Sequence, residues 1–238
     1  MIEALPYAAV VLHNRTNESG CVPDNGLFCP SWAADNWHDF VTPSLQHLVL
    51  VAVPILLGFV IALGLAIVAH RRRWLMPPIL GATGALYTIP SIAFFFLLTP
   101  LIGRGRETAI IALTVYTLQI IFRNILAGLD NVPAGAKDAG RGMGLTQNQL
   151  LWGVELPLAL PEIIAGLRIA IVSTAALATL AVFVGGGGLG TEIFTGSKVF
   201  NTRLIMASLL VMAIAFCFDG LLLLLQRLVT PWRRAVPA

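Results

Sequence analysis

The sequence predicts an all-α membrane protein of about five transmembrane helices gathered into one bundle, and three observations predict it. Of 238 residues 57% are apolar and only 11% charged, with a mean hydropathy of +0.84, a surplus that a soluble core of this size has nowhere to bury. Five long runs carry almost no charge. At about 1.5 Å per residue, each is long enough to cross roughly 30 Å of hydrocarbon. The third observation is a long polar insertion, Asp130 to Pro161, between the third and fourth runs, dense in helix start and stop signals. The net charge of +3 fits lysine and arginine on cytoplasmic loops. No basic stripe interleaved with aromatics argues for nucleic acid.

Residues 1–44 form a polar arm placed outside the cell. Its opening, MIEALPYAAVVLH, lacks a basic start and is interrupted by Glu3 and Pro6, which makes a poor signal peptide too short to span. Trp32 and Trp37 read as interfacial anchors, with a reentrant or amphipathic arm as the alternative. Cys21 and Cys29 share this arm and can pair only if it faces an oxidising compartment. Cys217, inside an apolar run, reads as a small core residue.

The membrane-spanning domain covers residues 45–230. Its first span, 48–69, is followed at once by His70-Arg71-Arg72-Arg73, a basic cluster that marks a cytoplasmic end and leaves the N-terminus outside. The second run, 75–102, is longer than one straight span needs. Pro90 lacks a backbone donor and disfavours helix at Ile89, so a break is expected near Thr88 to Ser91, with Tyr87, Pro90 and Ser91 as candidate pathway or gate residues. A merely kinked packing helix stands beside that reading. The third span, 108–129, holds Arg123, read as snorkelling to headgroups or, alternatively, as a gate. The fourth, 163–184, is rich in small residues that let backbones approach. After the fifth, 204–225, a cytoplasmic tail covers 231–238.

Charges inside spans are costly, so Arg168 in the fourth and Asp219 in the fifth call for an account. A helix-to-helix pair is the simplest, and a direct substrate role is the alternative. The histidines are scattered, with neither zinc-ligand spacing nor a nucleophile elbow, so no metal, cofactor or catalytic residue is expected. GGGGLG, residues 185–190, lacks the lysine of a nucleotide-binding loop.

In the polar insertion, Asn131 is expected to cap a helix with Pro133 in its first turn, and Gly144 to end it in the left-handed region. Thr146 with Gln149 makes a capping box for a second helix carrying Leu150, Leu151, Trp152 and Val154. Pro157 and Pro161 are expected to end that helix. Two short helices joined at a glycine would then lie against the membrane surface.

These residues also carry a resemblance. Asp138-Ala139-Gly140, then Gly144, then Val154-Glu155-Leu156-Pro157 resembles the Glu-Ala-Ala loop of membrane permeases in ATP-binding-cassette importers. The spacing matches, while Asp138, Gly140 and Val154 replace Glu, Ala and Ile. Gly140 weakens its helix by about 1 kcal/mol relative to Ala. The strings YTIPSIAFFFLL, GRGMG, VELPLALP and GGGGLG look most like the osmoprotectant branch. The resemblance implies a type I importer permease fold in a bacterial cell membrane. It also implies a separate ATPase docking on Asp138, Ala139, Gly140, Gly144, Val154, Leu156 and Pro157, a second permease subunit, and an extracytoplasmic solute-binding protein. The implied solutes are glycine betaine, carnitine, choline or proline. Another small solute, such as an amino acid, is the alternative. An ion-coupled carrier would favour repeated halves and midplane acids, which are not evident.

Overall fold

The computed structural model describes residues 25–231, which contain helices and no strand. Helix α1 (Pro30–Asp35) leads through a 3-10 turn into α2 (Val41–Arg71), a 31-residue helix that tolerates Pro54 inside it. Helix α3 (Met76–Thr88) begins with proline in its first turn, where the missing N–H removes nothing from the helix. Ile89 and Pro90 are both extended, with ψ of 130°. Helix α4 (Ser91–Ile102) then departs at 98° to its predecessor. The run is therefore broken at Pro90 rather than gently kinked.

The break is tied to the centre of the bundle by one hydrogen bond. Tyr116, on helix α5 (Arg106–Asp130), donates its hydroxyl to the Ile89 carbonyl. A backbone acceptor freed by the break is thereby satisfied, as irregular backbone at membrane depth requires.

Helix α5 is the centre of the bundle. It packs against α2, α3, α4 and α8 (Leu156–Ala178). Over half of its most apolar window, 56%, is buried, against none of that of α10 (Asn201–Val229). Small residues set these distances. A Cβ on Gly58 of α2 would lie 2.2 Å from Thr117 Oγ1, and one on Gly166 of α8 would lie 2.3 Å from Asn124 Cβ. Large residues of α5, among them Leu113, Phe122, Ile125 and Leu129, fill the space that remains.

Four stretches are long and apolar enough to cross a membrane: Trp37–Arg71, Arg106–Asp130, Gln147–Val184 and Asn201–Val229. The bent pair α3 and α4 makes a fifth if taken as one span. The expected spans at 48–69, 75–102, 108–129, 163–184 and 204–225 lie within these elements, mostly shorter than the helices that hold them.

Several expectations need correction. Asn131 does not cap the next helix: its N–H still bonds Ala127 and completes α5, and Pro133 stands at the cap of α6 (Ala134–Gly142). Pro157 and Pro161 do not end a helix. Pro157 lies in the first turn of α8 and Pro161 inside it. A π turn at Leu151–Glu155 precedes them, and its wider Leu156 to Leu151 bond lets the chain run on into α8. Trp32 is no interfacial anchor but packs edge-on against Phe40 and Phe200, with centroids 6.4 and 5.0 Å away. Cys217 is exposed rather than in the core. Cys29 is disulfide-bonded, whereas Cys21 lies outside the described residues. Helix α9 (Leu189–Val199), which starts at the end of the glycine run, was not foreseen.

Candidate coupling segment and intramembrane pair

The polar segment is built from local signals. Helix α6 ends in a Schellman motif: Gly144, at φ 79°, donates to Arg141, and Leu145 donates to Gly140. Thr146 then caps α7 (Gln147–Leu150) through both arms of a capping box with Gln149. The two helices close on each other at Gly140, where a Cβ would lie 2.6 Å from Leu150 Cδ1. Glycine here, in place of the alanine of the resembled motif, leaves room for that leucine.

The expected coupling residues divide by exposure. Asp138, Ala139 and Gly144 are exposed, Val154 and Pro157 are half-buried, and Gly140 and Leu156 are buried. Met143 and Trp152 join the exposed set at 74% and 59%. A helix pair showing two large exposed apolar side chains is suited to receive a protein partner.

Its inner face is held by charge. His70 Nε2, in the last turn of α2, lies 2.8 Å from Glu155 Oε2, and Lys137 Nζ of α6 lies 4.0 Å from Glu155 Oε1. Lys137 also donates to the Leu129 carbonyl at 3.0 Å. Around them Arg71 donates to Asn148, and Arg73 pairs with Asp130 at 3.0 Å. The basic cluster that ends the first span thus lies against the polar insertion some sixty residues further along the chain. Sequence reasoning missed Glu155, His70 and Lys137 as a group, although the VELP string held the acid and the basic cluster one of its partners.

In the membrane-spanning part, the structure brings Arg168 and Asp219 together. Arg168 Nε donates to Oδ1 at 2.6 Å and Nη2 to Oδ2 at 2.9 Å, a two-pronged contact between α8 and α10. Their side chains are 31% and 23% exposed and open on a cavity of about 660 Å3 walled by Ile169, Val172, Met212 and Phe216. At the break, Tyr87 and Pro90 are exposed and Ser91 is half-buried. Tyr87 stacks edge-on against Tyr116 at 5.8 Å. Among the described residues, no three His, Cys, Asp or Glu side chains are grouped to hold a metal ion.

The chain belongs to the family of binding-protein-dependent transport system inner membrane components, which it matches over residues 48–233. It is a multi-pass membrane protein of that family, whose members work with an ATPase and a solute-binding protein. It is 39% identical to the osmoprotectant import permease protein OsmW of Salmonella typhimurium, over 83% of this chain and 94% of that one. The carnitine transport permease protein OpuCB of Listeria monocytogenes is 36% identical, over 72% and 79%. Among solved structures, the inward-facing MetNI methionine ABC transporter matches with a TM-score of 0.67 at 26% identity, over 80% of this chain and 96% of that one. An amino acid ABC transporter with histidines shares the fold, with a TM-score of 0.68 at 18% identity over 79% and 92%.

Proposed function

We propose that this chain is the membrane-spanning subunit of an ATP-driven importer of compatible solutes such as glycine betaine, carnitine, choline or proline. ATP is hydrolysed in a separate subunit that grips the face carrying Asp138, Ala139, Met143, Gly144 and Trp152. Two permease subunits enclose the path, and a binding protein delivers solute from outside. The N-terminus lies outside and the α6–α7 platform and C-terminal tail lie in the cytoplasm, as the basic cluster at His70 to Arg73 favours.

The observation that carries this reading is the capped, glycine-jointed helix pair, ordered on both sides yet exposed on its outer face. A slack connection between spans would need neither the Schellman motif nor the capping box. The relatives named for osmoprotectant and carnitine transport support the solute class. Tyr87 and Phe96 are exposed aromatics flanking the break in sequence, and aromatic faces suit quaternary ammonium groups.

The test is reconstitution with the partner ATPase and binding protein in sealed vesicles. ATP-dependent accumulation of labelled glycine betaine is expected, competed by carnitine or choline and abolished without the ATPase. An amino-acid importer is the second reading, favoured by the likeness to the methionine transporter. Competition by methionine or histidine, but not by betaines, would establish it instead.

A further inference from the structure

Three stretches of chain distant in sequence meet at Glu155. Its side chain is 7% exposed. One oxygen faces His70 at the end of α2 and the other faces Lys137 on α6. Lys137 in turn reaches back to Leu129 in the last turn of α5. The other ring nitrogen of His70, Nδ1, is buried without a hydrogen-bond partner among the described residues. The tautomer that suits this setting carries its proton on Nε2, where Glu155 accepts it.

The backbone aims Glu155 into this position. It is the last residue of the π turn, which adds a residue to one helical turn and so rotates what precedes it by about 100° relative to a regular helix. Leu150 and Leu151 on the near side are buried, Trp152 points outward, and Glu155 turns in toward the first span. A carboxylate shut away from water holds to its partners, because parting it from them leaves its charge uncompensated.

We propose that Glu155 is a positioning residue: the joint that makes the end of the first span and the coupling helices move as one body when a partner ATPase displaces the segment. This rests on the coupling role proposed above. The exposed face takes the push and the Glu155 carboxylate passes it to α2 through His70. Lys137 keeps α6 in register with the end of α5 while this happens. Without the joint, the coupling helices can rock on the membrane surface while the bundle stays where it was.

The experiment measures solute imported per ATP hydrolysed in vesicles containing the chain, its partner ATPase and the glycine betaine-loaded binding protein. Glu155→Gln keeps the side-chain shape and removes the charge. The expected result is a complex of normal yield that hydrolyses ATP, with the import ratio lowered about fivefold to tenfold. His70→Gln is expected to lower it similarly, and the double variant no further than Glu155→Gln alone, because both act through one contact. A merely structural role reduces complex yield and both rates together and leaves the ratio unchanged, which overturns the joint. Should Glu155→Gln fail to assemble, His70→Gln decides: a lowered ratio supports the joint and an unchanged one overturns it. Wild-type vesicles that show no ATP-driven uptake overturn the transport reading and the joint with it. Uptake by the wild type with unchanged ratios in the variants overturns the joint alone.

Discussion

Helix α5 and the polar segment that follows it are held by different forces. The span is fixed by shape: glycine at 58 and 166 brings the α2 and α8 backbones onto Thr117 and Asn124, and buried Leu, Ile and Phe fill the rest. The segment has few large buried side chains and is held by directed contacts, namely a Schellman end, a capping box, and the Glu155 pairs with His70 and Lys137. In lipid there is no hydrophobic gain from bringing helices together, so close packing decides their arrangement. At the membrane surface water competes for every polar group, so a short helix keeps its shape only if its end groups are satisfied locally. Shape therefore governs one region and hydrogen bonding the other.

The Arg168–Asp219 pair cuts across that division, because it places charge in the packed region, and it gives the largest expected effect. Asp219→Asn leaves Arg168 without a counter-charge and should lower stability by roughly 3 kcal/mol, whereas replacing both residues with apolar ones of similar volume should recover most of the loss. Thermal unfolding of the detergent-solubilised protein checks this. A double variant as unstable as the single one would show that the pair is more than a local contact.

Packing by shape is broken next. Gly166→Val pushes a side chain into Asn124 and should destabilise by about 2 kcal/mol, within the range for overpacked cores, with the same unfolding measurement as readout. A neutral result would mean that α5 and α8 are looser than their contact implies.

On the surface the effects should be smaller and fall on partner docking before stability. Gly144→Val places a branched residue at φ 79°, a strain of about 1–2 kcal/mol. ATPase binding, followed by co-purification, should weaken while the spans stay folded. Thr146→Ala removes one arm of the capping box and should cost about 1 kcal/mol in the local stability of α7, visible as faster hydrogen exchange at Gln149. At the bottom of the scale, Arg141→Ala loses an exposed pair with Asp138 at 3.3 Å and should change stability by less than about 0.5 kcal/mol. A large effect on ATPase binding from that variant would identify Arg141 as part of the docking face.

Legibility in the sequence tracked the range of each interaction. Gly144 and the Thr146–Gln149 box could be read because a helix end is decided within a few residues. Arg168 and Asp219 could be paired because two charges in otherwise apolar runs have few other partners. Pro157 was misread as a stop because a π turn, which no residue type announces, puts it in the first turn of the next helix, where a missing N–H is tolerated; Pro161 is held inside that helix with nothing in the structure to explain it. Trp32 was misread because its place in a cluster depends on Phe200, far along the chain. The meeting of His70 and Glu155, eighty-five residues apart, left no periodic trace at all.

Apolar run length and helix-end signals in the chain alone determined that the protein crosses a membrane several times and that a capped, glycine-jointed platform interrupts the bundle, and they left the second span either broken or kinked at Pro90 until the structure showed the 98° break. These are local matters of backbone geometry and of the cost of polar groups in hydrocarbon. Tertiary structure decided which span lies at the centre, how far α8 extends through its prolines, and which basic group meets Glu155. Those outcomes depend on surfaces brought together from remote parts of the chain, where the fit of two side chains is a property of neither sequence neighbourhood by itself.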